Sequence, residues 1–125
     1  MANPSTTGPS GVGTEVLRRS YLDNPAEAEA TILAGVANHI YTILSIVICD
    51  LSNQADFLFD LYVDVDASGT DINLLNDQSV GQKQSFIFSD RLVLTATDKL
   101  LIKGASAAAT AEYDVYCTFI DQQFA

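Results

Sequence analysis

The chain predicts an all-β fold, a jelly-roll-like antiparallel β-sandwich with an extended N-terminal arm, on three observations. Phe57, Phe59, Leu61, Val63 and Val65 share one face of a segment whose other face carries Asp56, Asp60, Asp64 and Asp66. That period of two marks a strand with one wet side. Short runs rich in β-branched and aromatic residues then recur from residue 27 to 121, each bounded by turn chemistry. No stretch combines a helical period with helix caps over more than two turns.

The elements follow in chain order. Pro4, Gly8, Pro9, Gly11 and Gly13 exclude a helix or a paired strand, so the chain starts as an arm. Thr14 to Tyr21 reads as extended chain or a single helical turn, and Asp23-Asn24-Pro25 breaks it. The expected division is an arm over residues 1–25 and a sandwich domain over 26–125. Glu27 to Leu33 alternates loosely up to Ala34-Gly35. Ile40 to Cys49 is β-branched and apolar on both faces, a strand covered by its own sandwich on one side and by a partner subunit on the other. Tyr41, Ile43 and Val47 are therefore the expected oligomer-interface residues. Ser52-Asn53-Gln54 turns into the alternating strand, and Ala67-Ser68-Gly69 turns out of it. Strands are expected over Asp71–Leu75, Ser85–Phe88, Arg91–Thr95, Leu100–Lys103 and Tyr113–Ile120, with Gly104 to Ala111 as a small-residue loop. That makes about eight strands, the spacing of a sandwich or barrel. An immunoglobulin-like sandwich is the runner-up, because Cys49 and Cys117 are spaced like its disulfide. The chain has no tryptophan, and Val115 stands where that fold places a tyrosine.

Composition narrows the function. One domain of 125 residues buries roughly two-thirds of its unfolded surface. Sixteen acidic residues against six basic ones give a net charge of −10, too few cations to displace counterions from a phosphate backbone, so nucleic acid is excluded as a partner. The apolar run Ile40–Cys49 is about half of what a helix needs to cross a bilayer, and the N-terminus lacks the basic and apolar regions of a signal peptide. The expected site of synthesis is a cytoplasm. Cys49 and Cys117 read as small buried hydrophobes with reduced thiols; a disulfide between them is the alternative.

Chemistry-bearing residues are few. The run from Asp64 through Asp66, Ser68 and Gly69 to Asp71 offers oxygens at alternate positions before a glycine turn like half of a calcium loop, but Leu75 stands where the closing glutamate belongs, and a polar hairpin tip accounts for it. Asp56, Asp60 and Asp64 have no neighbouring acid, base or sugar platform and read as a solvated strand face. His39 is the only histidine, with no nucleophile elbow nearby, and reads as a loop residue before a strand. One histidine and two distant cysteines do not make a zinc site. No catalytic residue, metal ligand or cofactor is expected. In the arm, Val16, Leu17, Tyr21 and Leu22 gain from burial and stand beside its only cations, Arg18 and Arg19. These six are the expected partner-binding residues.

The order of a strand over Ile40–Leu51, a polar turn, the alternating strand Phe57–Asp66, then Arg91-Leu92-Val93-Leu94 and Asp98-Lys99-Leu100-Leu101-Ile102-Lys103-Gly104-Ala105-Ser106-Ala107, resembles small virion proteins of tailed bacteriophages. The resemblance covers residues 27 to 121 and is one of strand order and turn placement. It implies a structural role without catalytic residues. The leading expectation is a capsid cement (decoration) protein, a homotrimer on the outer surface of the virion whose partner is the major capsid protein. A tail, neck or fibre part is the second expectation and a carbohydrate-binding module the third.

Overall fold

The structure, a computed structural model, describes residues 15–25, 29–51, 57–104 and 113–123. Among the described residues it is all-β, with nine strands: β1 (Glu15–Asp23), β2 (Glu29–Ala34), β3 (His39–Asp50), β4 (Phe57–Val65), β5 (Thr70–Val80), β6 (Ser85–Phe88), β7 (Leu92–Thr95), β8 (Lys99–Gly104) and β9 (Tyr113–Gln123). One sheet runs β1-β9-β3 and then β6 and β7, both of which pair with β3; the other runs β2-β8-β4-β5, and every pairing is antiparallel. The two four-residue strands β6 and β7 lie end to end along β3 and share one place in the sheet. Eight strand positions in two four-position sheets, with this order, make a jelly roll.

The boundary at Pro25 moves. Residues 15–23 are not an arm but the first strand of the jelly roll, paired residue for residue with β9 from Glu15↔Gln122 to Asp23↔Asp114. A free arm would leave those backbone groups to water, whereas the ladder pairs them. Residues 1–14 of the expected arm, the expected turn at Ser52-Asn53-Gln54 and residues 105–111 of the expected small-residue loop lie outside the described residues.

The core lies between the sheets. Phe57, Phe59, Leu61 and Val63 are buried, with Val65 packed against them, so the alternating strand faces inward as its period predicts. An aromatic row spans the gap: Tyr113 of β9 stacks on Phe57 at 4.5 Å, Phe57 on Phe59 at 5.6 Å, and Phe59 meets the edge of Phe86 of β6 at 5.8 Å.

The expected oligomer interface on β3 also changes. Tyr41 and Ile43 are buried inside the protein's own sandwich, and only Val47 points away from it. A bulge causes this. Ile43 pairs with Phe119 and Ser45 with Thr118, so Leu44 is an extra residue and the inward set jumps from 41 and 43 to 46, 48 and 50. A strand apolar on both faces carries no sign of which face is the core.

Candidate docking face

The outer surfaces of the two sheets differ in kind. On the sheet containing β4, β5 and β8, opposite charges face one another across strands: Lys103 lies between Glu29 and Asp60, and Lys99 beside Asp64, whose other neighbour is Asp71. Such pairs stabilise a water-facing sheet. The acidic side chains there also hold turns. Asp64 Oδ1 accepts from the Gly69 amide at 2.8 Å, Asp60 Oδ1 from the Asp77 amide at 2.7 Å, and Asp98 Oδ1 from the Asp66 amide at 2.9 Å. The expected half calcium loop is the tip of the β4–β5 hairpin, closed at Val65↔Thr70, with Gly69 at φ 87°. Among the described residues, no three His, Cys, Asp or Glu side chains come together to hold a metal ion.

The other sheet turns an apolar surface outward. Its pairings align Tyr21 with Tyr116, Tyr116 with Val47, and Val47 with Ile87, one row across all four strand positions. Tyr21 is 59% exposed, Tyr116 47% and Ile87 62%. A second row runs Leu17, Ile120, Thr42 and Val93, the last also exposed. Between the rows lies Arg19, whose guanidinium stands 5.3 Å from the centre of the Tyr21 ring. A groove of about 470 Å³ follows the first row, lined by Arg19, Tyr21, Val47, Cys49 and Tyr116 among others, Asp23 and Asp114 included. Large side chains with this much exposure, aligned in a row, form a patch and not scattered surface residues.

The expected partner-binding residues divide between the two sides of β1. Leu17, Arg19 and Tyr21 join the outer face, while Val16 is buried and Leu22 packs on the core. Arg18 points inward, and its Nε donates to Asp121 Oδ2 at 2.8 Å. Asp121 is itself buried, and its other oxygen pairs with His39 Nδ1 at 2.6 Å. His39 is thus the first residue of β3 rather than a loop residue, and the carboxylate ties together β1, β9 and β3. Nearby, burial first and then the Asp121 carboxylate push the Tyr41 hydroxyl above its usual pKa, with Arg18 opposing. Asp121 was visible in the sequence as an acid at an inward position of an alternating strand, but its partners are far away in the chain.

The cysteines are both free thiols. Cys117 faces inward between Ser20 and Ile46, and burial pushes its thiol from about 9 to about 11, a nearby Ser20 hydroxyl pulling weakly the other way. Cys49 is half-buried in the outer groove, so the two lie on opposite faces of one sheet.

The chain matches no protein-family model and no curated protein sequence. It does match solved structures. The pili of Bacillus endospore appendages, described as disulfide-linked, align over 99% of this chain and 100% of theirs, with a TM-score of 0.55 and 20% identity. A chain in the capsid of Helicobacter pylori bacteriophage KHP30 aligns over 88% of this chain and 90% of its own, with a TM-score of 0.53 and 9% identity. One in the capsid of cyanophage Pam1 aligns over 99% and 94%, with a TM-score of 0.51 and 17% identity. At these identities the likeness is one of fold: the chain has the two-sheet antiparallel sandwich found in phage capsid proteins and in these pili.

Proposed function

We propose that this chain is a non-catalytic virion structural protein, a cement protein that docks on the outer shell of a phage capsid and stabilises it. The carrying observation is the contrast between the two outer faces: a charged, water-facing sheet and an opposite sheet crossed by the apolar row Tyr21–Tyr116–Val47–Ile87. On a shell, the apolar row faces the major capsid protein and the acidic sheet faces solvent. Aromatic side chains in a row are the kind of anchor that concentrates binding energy. The matched capsid chains are aligned over nine-tenths or more of their length, so they are subunits of this chain's size. A homotrimer made in the host cytoplasm and carried on the particle exterior is the assembly this reading expects; a tail, neck or fibre part of the same fold is its nearest rival.

A filament subunit is the second reading, favoured by the full-length alignment to the appendage pili. A disulfide-linked polymer needs two outward-facing cysteines per subunit, one for each neighbour. Of the two in this chain, Cys117 faces inward and Cys49 alone reaches the outer groove.

The test counts copies in purified particles and measures binding to shells lacking the chain. Hundreds of copies are expected, with binding abolished by Tyr116→Asp while Lys103→Glu on the opposite sheet binds normally. A dozen copies or fewer would place the chain in the neck or tail. Deleting residues 1–14 is the proper arm test, since deleting residues 1–25 would remove β1 itself.

A further inference from the structure

Among the described residues each sheet of this sandwich has two edges, and three of the four are blunted. On β2, the pairing passes from Thr31↔Leu101 to Leu33↔Leu100, so Ile32 is a bulge. On β5, two steps each carry an extra residue, Asp77 has a φ of 51°, and its amide is taken by Asp60. The edge made by β6 and β7 is broken by residues 89–91. Bulges and breaks of this sort keep edges from pairing with other chains. β1 is different. It ends its sheet among the described residues, and its nine-residue pairing with β9 has no register shift. It contains no proline or glycine, and its carboxylates sit only at its ends, Glu15 and Asp23.

From this we infer that β1 pairs edge to edge with β1 of a second copy, antiparallel, about a two-fold axis at Tyr21. The charges favour an antiparallel second copy and disfavour the fully paired register. In a pairing about Tyr21, Arg19 of each copy stands opposite Asp23 of the other, an attraction made twice. The register that pairs all nine residues is centred on Arg19 and is disfavoured, because it opposes Arg19 to Arg19 and Glu15 to Asp23. Centring on Tyr21, and not on Leu17 where Arg19 would meet Glu15, brings together the Tyr21 rings of the two copies, each 59% exposed, in place of two half-buried leucines. It joins the outer rows end to end, so that Ile87, Val47, Tyr116 and Tyr21 of one copy continue into the same four residues of the other. Edge-to-edge pairing leaves both outer faces on the same side, and the doubled row is a single surface. The contact does not depend on the chain being a virion protein. On a shell it would link neighbouring subunits across two-fold axes.

The test uses the full chain carrying Cys49→Ser, so that no native surface thiol interferes. Tyr21→Cys places two thiols across the axis at a Cα separation within disulfide reach. Mild oxidation is expected to give one covalent dimer, while Arg91→Cys, in the break between β6 and β7, gives none. Arg19→Glu and Asp23→Arg are each expected to raise the dimer dissociation constant at least tenfold, and the double exchange to restore it. All four positions are on the surface or at a strand end, and circular dichroism checks that each variant folds. The inference fails if the chain sediments as a monomer at millimolar concentration with no cross-link. It fails equally if Leu17→Cys cross-links in place of Tyr21→Cys and Glu15→Arg, not Asp23→Arg, rescues Arg19→Glu. That outcome would put the axis at Leu17.

Discussion

Replacing Phe59 by alanine removes the middle of the aromatic row that joins the two sheets. Phe59 is fully buried, stacked on Phe57 from its own strand and edge-on to Phe86 of the facing sheet. The lost transfer energy and the cavity left behind together cost about 3–5 kcal/mol, of which the two ring contacts supply roughly 0.5–1.5 kcal/mol each. For a chain of this length, 1 kcal/mol moves the unfolding midpoint by about 4 °C, so Phe59→Ala should lower it by roughly 12–20 °C. The neighbouring Leu58→Ala is the control. Leu58 points to the opposite side of β4 and is half-buried, so its truncation should cost about 1 kcal/mol. Urea titration followed by circular dichroism gives both values under the same conditions. Equal losses for the two variants, or a loss below about 1.5 kcal/mol for Phe59→Ala, would refute the assignment of faces.

Asp121→Ala leaves Arg18 and His39 without their shared acceptor and should cost about 1–3 kcal/mol, discounted because Arg18 is partly exposed. Hydrogen exchange should speed up first in β1, and unchanged exchange there would show that the carboxylate does not hold that strand. Cys117 favours its neutral thiol in the folded state, so its contribution is complete below pH 9 and is lost as pH rises from about 9 to about 11. The loss amounts to about 2–3 kcal/mol. Cys117→Ala should flatten that part of the stability profile, leaving the decline at higher pH that belongs to Tyr41, whose pKa is also raised. Parallel profiles for the two proteins would sink this explanation.

Residue alternation revealed most of the strands, because a strand with one wet face writes its period into the chain. Phe57 to Val65 is the plainest case, and Tyr113, Val115, Cys117 and Phe119 keep the same rhythm in β9. Alternation failed in two places for identifiable reasons. The inward face of β1 carries Arg18 and Ser20 beside Val16 and Leu22, so the strand looked like an arm until Asp121 appeared as the partner of Arg18, 103 residues away. β3 is apolar on both faces and bulges at Leu44, so no periodicity could say that Ile43 and Ile46 share the core. The expected count of about eight strands coincided with the jelly roll's eight positions by compensation: β1 was left out, and β6 and β7 were counted as two.

The docking face shows the same division. By itself the sequence determined an all-β acidic chain, since composition, charge and local alternation are properties of neighbouring residues. It also flagged Leu17, Arg19, Tyr21 and Val47, though as parts of two separate surfaces. Only the tertiary structure brought them onto one outer face beside Tyr116, Ile87 and Val93, and only it left β1 as the unblunted edge. Register is the physical reason: which residues stand opposite one another is set by backbone pairing between distant strands, and a shift of one residue would send every one of these side chains to the other face.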